Sequence, residues 1–229
     1  MNRSRRYLLG AIPALALAAA ACGSDTTIEE VRRAAGPAPE PATPDEAIRA
    51  LADGNVRFAA RTPKIHDIAD IEVLWTDLAT GQTPFATVLG CADSRLAPEL
   101  IFDQFVGDIF VVREAGNIAE SPTNLGSLEY GQAVLKSKAL VVLGHSDCGA
   151  VKAAFDNATV GGNIQAVVDV IKSGIAGAAD LDDAIVRNVG TVIDRIRTNS
   201  EILRTAEQTG AVKIVGAIYD IKTATVRFL

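Results

Sequence analysis

Short apolar runs alternate with longer helical patterns along this chain, and this alternation restricts the fold more than any other feature. The runs cover 85–90, 109–112, 139–143 and 212–219. Both alternating sets of side chains are mostly apolar in each run, as in parallel strands that are buried on both faces. A further run, 225–229, is predicted to form an edge strand. The sequence therefore predicts an α/β fold with a mostly parallel central β-sheet flanked by helices.

The segments between these runs carry helical signals. Thr43, Pro44 and Glu46 form the pattern of an N-cap, a first-turn proline and a capping-box glutamate, so a helix is predicted to begin there. Its apolar stripe is interrupted near Gly54. Five more helices are predicted, over 68–79, 121–136, 149–157, 164–172 and 181–209.

Residues 1–22 have the composition of an export signal. Arg5 and Arg6 precede an apolar run, 8–21, that is short for a membrane span. The arginine pair resembles a twin-arginine signal. The segment that ends at Cys22 resembles a lipoprotein cleavage box, which predicts lipidation of that cysteine. A Sec signal with incidental arginines and an uncleaved N-terminal anchor are the alternatives.

The rest of the chain is predicted to consist of a tether and one domain. Residues 23–42 are rich in Ala, Pro, Gly and charged residues without apolar periodicity, which is typical of a flexible tether. Residues 43–229 have the length of a single domain. We therefore expect a protein exported across the cytoplasmic membrane, held as a lipoprotein in the periplasm or at the cell surface by a lipid anchor.

The charge balance excludes one class of partner. The chain has 28 acidic against 22 basic residues, a net charge of −6, and no long basic run. Nucleic acid is therefore not an expected partner. Aromatic residues make up only 5% of the chain, which also argues against stacking platforms for single strands or sugars.

Two short clusters contain the residues best suited to bind a metal. Cys91 follows the first apolar run, whereas His145 and Cys148 follow the third. Two thiolates and one imidazole suit Zn²⁺ with a fourth position left open, the arrangement typical of catalytic zinc. In an α/β sheet, both clusters would lie at the carboxyl ends of strands, where ligands bind. A Cys91–Cys148 disulfide, or a redox pair, is the structural alternative.

Two charged residues accompany the first cysteine. Asp93 has two possible roles: it could accept a hydrogen bond from a metal-bound water, or it could bind the metal itself and close the site. Arg95 would pair with Asp93 in the first case and keep its carboxylate ionised. A solvated turn with an incidental ion pair is the alternative for the Asp93–Arg95 segment.

The two clusters, C-A-D-S-R at 91–95 and H-S-D-C-G at 145–149, are similar to the two zinc motifs of the β-class carbonic anhydrases. Further similarity covers most of the predicted domain. It includes a first-helix segment (51–58), the residues before the first cluster (82–84), and a strand with its turn (107–113 and 115–117). Two later pairs of residues, 188–189 and 219–220, are similar as well. Two positions depart from the family pattern, because Glu114 replaces a frequent Asn and Ala224 replaces a frequent Gly.

The resemblance implies one zinc ion per chain, with Cys91, His145 and Cys148 as ligands and Asp93 with Arg95 as a catalytic dyad. It also implies a substrate pocket that is completed across the interface of a homodimer or a higher even oligomer. Asp93 remains a possible fourth ligand in a closed state. The implied pocket residues are Gln82, Phe110, Tyr130 and Gly149.

The reaction that the resemblance implies is the reversible hydration of carbon dioxide to bicarbonate and a proton, with a zinc-bound hydroxide as the nucleophile. Two alternatives remain open. A carbonyl sulfide or carbon disulfide hydrolase would use the same zinc ligands, and a zinc-binding lipoprotein without turnover would retain them as well. The second alternative does not explain why Gln82, Asp93 and Arg95 occur together, because a site that only holds a metal needs none of them.

Overall fold

The structure is a computed structural model that describes residues 41–64, 75 and 78–229. The predicted signal lies outside the described residues, and so does the predicted tether except for 41 and 42. Most of the helix predicted over 68–79 also lies outside them. Everything described here belongs to the second of two compact units, which spans Glu40–Leu229.

Five strands form one sheet with the order β2-β1-β3-β4-β5. The first four strands are mutually parallel, whereas β5 runs antiparallel to β4 at one edge. This arrangement confirms the predicted mostly parallel sheet. The strands are β1 (Ala86–Gly90), β2 (Ile109–Arg113), β3 (Ala139–His145), β4 (Lys213–Asp220) and β5 (Thr225–Phe228).

Helices cover both faces of the sheet, and in the described part of the chain none is long and apolar enough to cross a membrane. A short 3₁₀ turn follows β2, and a π-helical turn follows the third helix. The helices are α1 (Pro44–Ala59), α2 (Pro98–Ile101), α3 (Pro122–Glu129), α4 (Gly149–Phe155), α5 (Ile164–Gly174), α6 (Leu181–Asn199) and α7 (Glu201–Gln208). The turns are Ala115–Asn117 and Tyr130–Val134.

The core lies in two layers because successive strand residues point to opposite faces. Val88 and Val141 pack on one face with apolar residues of α1, α4 and α5. Leu89 and Leu140 pack on the other face with residues of α3, α6 and α7. Every residue of β1 and β3 is buried, as expected for strands that are apolar on both faces.

The first helix begins as predicted and continues past Gly54. Thr43 Oγ1 accepts from Glu46 N at 3.3 Å, and the Glu46 carboxylate accepts from Thr43 N at 3.1 Å, so the capping box is formed. The helix predicted from this apolar stripe is confirmed, since α1 is continuous from Pro44 to Ala59 although the stripe is interrupted near Gly54. A Cβ on Gly54 would lie 1.7 Å from the carbonyl oxygen of Phe102. This glycine therefore allows close contact with the end of α2 rather than breaking the helix.

The prediction of a single helix over 181–209 was wrong. The chain leaves the helical conformation at Ser200 (φ −118°, ψ 105°), which separates α6 from α7. Ser200 Oγ accepts from Leu203 N at 3.1 Å and so caps α7. The same hydroxyl donates to Glu129 Oε1 at 2.6 Å. A serine that caps a helix and also bonds another element stabilises a break that the apolar periodicity does not indicate.

The C-terminal hairpin is held against α1 by one buried amide. Asn55 Nδ2 donates to the carbonyl oxygens of Ile101 and Ala224, both at 3.0 Å, and Asn55 Oδ1 accepts from Val226 N at 2.7 Å. Ala224 adopts a left-handed conformation with φ 61°. This is the position where the family often has glycine, and the conformation explains why.

We expect Ala224→Gly to raise the free energy of unfolding by about 0.5–1 kcal/mol. A left-handed conformation costs an L-residue roughly 1–2 kcal/mol, and glycine would remove this cost. The greater flexibility of glycine in the unfolded chain lowers the net stabilisation by about 0.4–1 kcal/mol. Urea unfolding measures the change. The control is Ala60→Gly, at a C-cap with an ordinary φ of −75°, where only the unfavourable entropy applies. A lower free energy of unfolding in Ala224→Gly would contradict the inference that Ala224 is strained.

Candidate metal centre

The two clusters meet where the strand order reverses. The chain passes from β1 outward to β2 and then returns to place β3 on the other side of β1. Parallel α/β sheets bind their ligands at the carboxyl ends of strands beside such a switch point. Cys91 directly follows β1, and His145 is the last residue of β3, so both lie at this position. The predicted placement of the two clusters is confirmed.

The three predicted ligands lie together and are buried. The ligand atoms of Cys91, His145 and Cys148 are all within 4.8 Å of one another. Asp147, between the last two ligands, has a left-handed φ of 56°, which turns the chain sharply after β3. Because of this turn, His145 and Cys148 point toward one centre although they are three positions apart. The sheet brings Cys91 to the same centre from a distant part of the sequence.

The imidazole of His145 fits a metal ligand. Its Nδ1 lies 3.0 Å from the carbonyl oxygen of Ser146, which can only accept, so Nδ1 carries the proton. Nε2 therefore presents a lone pair, and it is buried without a hydrogen-bond partner among the described residues. A buried nitrogen without a partner is costly unless a metal ion binds it. Two adjacent thiols complete a donor set that suits zinc.

The two thiols influence each other because they lie close together. The pKa of Cys91 is lowered, chiefly by its interaction with the Cys148 thiol, and the same interaction is the largest cause that raises the pKa of Cys148. Gly116 N–H donates to Cys91 Sγ at 3.2 Å. Both cysteines are free thiols, and a metal that binds both as thiolates would displace their protons.

Asp93 and Arg95 form a bidentate pair. Arg95 Nε donates to Asp93 Oδ1 at 2.9 Å, and Arg95 Nη2 donates to Asp93 Oδ2 at 2.7 Å. These hydrogen bonds are the main reason that the pKa of Asp93 lies well below its usual range. Arg95 Nη2 also donates to the carbonyl oxygen of Asp147 at 3.2 Å. Arg95 thus connects the loop after β1 to the loop after β3.

Two residues that support the centre were not predicted as site residues. Arg113 donates from Nε to the carbonyl oxygen of Cys91 at 3.0 Å and from Nη2 to that of Asp93 at 2.6 Å. Asn188 Nδ2 donates to the carbonyl oxygen of Gly116 at 2.9 Å. Both occur in segments that resemble the family. Their roles depend on contacts between distant segments, which spacing along the chain does not reveal.

The predicted pocket residues lie on four separate segments. Phe110 on β2 and Tyr130 at the π-helical turn are in contact, with ring centroids 6.1 Å apart. Tyr130 is 46% exposed. Gln82 is exposed in the segment that leads into β1, and Gly149 is exposed at the start of α4, directly after Cys148. A Cβ on Gly149 would meet no atom within 4 Å, so the space beside this end of the centre is open.

The comparisons with known proteins all point to the same family. A family model described as carbonic anhydrase matches residues 86–226. Carbonic anhydrase 2 of Mycobacterium tuberculosis is 38% identical over 187 residues, which cover 78% of this chain and 89% of that protein. The carbonic anhydrase of Mycolicibacterium smegmatis has the same identity and coverage. The carbonic anhydrase of Pseudomonas aeruginosa is 35% identical over 170 residues, 67% of this chain and 76% of that protein.

Solved structures show the same fold. A β-carbonic anhydrase of Sordaria macrospora, described as tetrameric, has a TM-score of 0.63 at 25% identity and covers 81% of this chain and 97% of its own. The Coccomyxa β-carbonic anhydrase in complex with acetazolamide has a TM-score of 0.63 at 25% identity, over 78% of this chain and 84% of its own. The family match, the 38% identical relatives and the shared fold lead to one conclusion: this chain belongs to the β-class carbonic anhydrase family.

Proposed function

We propose that this chain catalyses the reversible hydration of carbon dioxide to bicarbonate and a proton, with one zinc ion per chain. The observation that carries the proposal is the buried group of Cys91, His145 and Cys148 beside the Asp93–Arg95 pair. Its relatives at 38% identity are named carbonic anhydrases, which agrees with this reaction.

Zinc is the metal that this donor set fits best, because two thiolates and one imidazole suit its softness and its tetrahedral geometry. Bound in such a site, zinc lowers the pKa of a water ligand and so supplies a nucleophile near neutral pH. The group of three ligand atoms does not include the carboxylate of Asp93. This separation supports the open arrangement, in which the fourth position remains available.

The other residues would orient the reactants. Asp93 is held as a carboxylate by Arg95, so it can accept a hydrogen bond from a nucleophile that carries a proton. A carboxylate that can only accept would disfavour binding, at the fourth metal position, of groups that have no hydrogen to donate. The Phe110 and Tyr130 rings provide apolar surface suitable for carbon dioxide, and the amide of Gln82 provides a polar group at the approach to β1.

We further propose a homodimer or a higher even oligomer in which a second copy completes the pocket. Among the described strands β2 is an edge strand, and large apolar side chains near it are exposed: Val106 by 59%, Tyr130 by 46% and Val134 by 57%. Such a surface is typical of an interface. The description of the Sordaria macrospora enzymes as tetrameric is consistent with this assembly. Analytical ultracentrifugation that found only monomers would contradict it.

Export and lipid anchoring rest on residues 1–22 alone. We propose a twin-arginine-exported lipoprotein, anchored through Cys22 in the periplasm or at the cell surface. The mass of the mature protein tests this proposal. A protein that begins at Cys22 and carries acyl chains is expected, and an unmodified protein in the cytoplasmic fraction would contradict it.

The reaction is tested by stopped-flow hydration of carbon dioxide, with zinc content measured on the same sample. We expect fast hydration at one zinc per chain that a chelator removes and added zinc restores. Full zinc occupancy without hydration would contradict the proposal. Carbonyl sulfide and carbon disulfide are then assayed to test the hydrolase alternative, and inactivity on all three substrates would leave a metal-binding role.

A further inference from the structure

We propose that Arg113 is a positioning residue for this centre: its guanidinium holds the backbone of the Cys91–Asp93 segment, and so sets one metal ligand relative to the dyad carboxylate. The proposal deepens the proposed function and rests on it. Arg113 contacts neither a ligand atom nor the Asp93 carboxylate, so it acts through the main chain.

The register of the sheet puts Arg113 beside the place where the chain leaves β1. Arg113 is the last residue of β2 and is paired with Gly90, the last residue of β1. Cys91 follows Gly90 and is the first residue after β1, so it is not paired with β2. A side chain at the end of the neighbouring strand is therefore well placed to bind this segment.

The guanidinium provides two donors with a fixed spacing. Nε donates to the carbonyl oxygen of Cys91 at 3.0 Å, and Nη2 donates to the carbonyl oxygen of Asp93 at 2.6 Å. These two carbonyls are two residues apart, on either side of Ala92. A planar group that binds both restricts the rotation of the intervening backbone, which a single lysine ammonium cannot do in the same way.

Backbone hydrogen bonds also hold this segment, but among the described residues they leave one carbonyl to Arg113. Leu96 N donates to the carbonyl oxygen of Asp93 at 3.0 Å, whereas no backbone N–H donates to that of Cys91. Ala92 N donates to the carbonyl oxygen of Glu114 at 3.3 Å, a long hydrogen bond, and Glu114 N donates to that of Gly90 at 3.0 Å. Arg95 lies in the same loop and joins it to the loop after β3, because it donates to the carbonyl oxygen of Asp147 at 3.2 Å. Arg113 thus connects the loop to β2, whereas Arg95 connects it to the loop after β3.

Different effects are expected from the two arginines. Loss of Arg95 would remove the partner of the Asp93 carboxylate directly. Loss of Arg113 would leave that pair intact but allow Cys91 and Asp93 to move together relative to His145 and Cys148. Metal affinity and turnover should therefore fall together in an Arg113 variant, since both depend on the position of this segment.

The test compares Arg113→Gln and Arg113→Lys with the wild-type protein. The control is Arg227→Gln, which removes the same charge from an exposed position on β5. Zinc affinity is measured by chelator competition, ligand geometry by the visible spectrum of the Co²⁺-loaded protein, and turnover by kcat and KM. The melting temperature of each metal-free protein checks the fold.

We expect Arg113→Gln to weaken zinc binding and lower kcat by roughly 10- to 100-fold each, with a smaller change in KM. Its Co²⁺ spectrum should differ from that of the wild type. Arg113→Lys should lie between the two, and the control should match the wild type in every measurement. The metal-free variants should melt close to the wild-type temperature.

Wild-type zinc affinity and an unchanged Co²⁺ spectrum in Arg113→Gln would overturn the proposal, whatever the rates are. Wild-type behaviour of Arg113→Lys would overturn it too, because charge alone would then suffice. If Arg113→Gln does not fold, the lysine variant decides. Failure of the proposed function is distinguishable from failure of this proposal. In the first case the wild-type protein would bind zinc without turnover, and the zinc affinity and Co²⁺ spectrum of the variants would still test the role of Arg113.

Discussion

Replacing Cys148 by serine is expected to remove the metal and, with it, measurable hydration of carbon dioxide. The hydroxyl of serine is a harder and less acidic ligand than a thiolate, and only Cys91 and His145 of the three ligands would remain. The loss of zinc affinity should exceed the roughly 10- to 100-fold that removal of an outer partner costs. Zinc content after dialysis and the hydration rate measure the two effects.

Ser94→Ala is the matched control for this variant. Ser94 lies in the first cluster between Asp93 and Arg95, and it is exposed, so its loss removes a hydroxyl near the centre without removing a ligand. We expect it to keep one zinc per chain and most of its activity. One tightly bound zinc per chain in Cys148→Ser would show that the ligand assignment is wrong.

Asp93→Asn is expected to keep zinc but to lower kcat by roughly 10²- to 10³-fold, because the site would lose the ionised acceptor that orients the nucleophile. The amide can accept with only one atom, and its NH₂ group would face the donors of Arg95. Stopped-flow rates at constant zinc occupancy test this expectation. A variant with wild-type turnover would contradict the role of the dyad.

The pKa of Asp93 also predicts how the effect depends on pH. Since Arg95 lowers this pKa in the folded protein, the stabilisation from the pair is present above the ordinary carboxyl pKa and is lost only as the pH falls through the lowered value. Asp93 is therefore ionised throughout the neutral range. Titration of Asp93 itself should therefore add no pH dependence to the wild-type rate between about pH 6 and pH 9.

The matched control for Asp93 is Asp147→Asn. The Asp147 carboxylate is 73% exposed and lies 3.5 Å from Arg95 Nη1, so it contributes little to the pair. Asparagine also tolerates the left-handed conformation of this position. We expect a rate within a fewfold of the wild type. A loss as large as that of Asp93→Asn would mean that net negative charge matters more than the geometry of the dyad.

Local patterns identified most of the sheet because buried parallel strands must be apolar on both faces. The strands that two of these runs predicted, β1 and β3, are buried at every residue. The proposed metal ligands were predicted from their types and their places, because two thiolates and an imidazole suit zinc and α/β sheets bind ligands at strand ends. The capping box of α1 was predicted for a similar reason, because all of its hydrogen bonds join residues within four positions.

Contacts between distant segments explain what the local periodicity does not. The apolar stripe of α1 is interrupted at Gly54 because only a glycine leaves room for the carbonyl of Phe102. The single helix predicted over 181–209 was wrong for a similar reason. Ser200 has no strong signal of a break, yet it ends α6 because it caps α7 and donates to Glu129. In both cases the deciding partner lies more than forty residues away in the sequence.

The strand pattern, the position of the two clusters at strand ends and the chemistry of the three proposed metal ligands could all be read from the sequence. These properties depend on residue type and on neighbours within a few positions. Three contacts could be seen only in the folded chain: Arg113 holds the Cys91–Asp93 backbone, Asn188 supports the Gly116 turn, and Arg95 connects the two loops. Those contacts exist because the sheet sets β1 between β2 and β3, and the register between strands is a property of the folded chain.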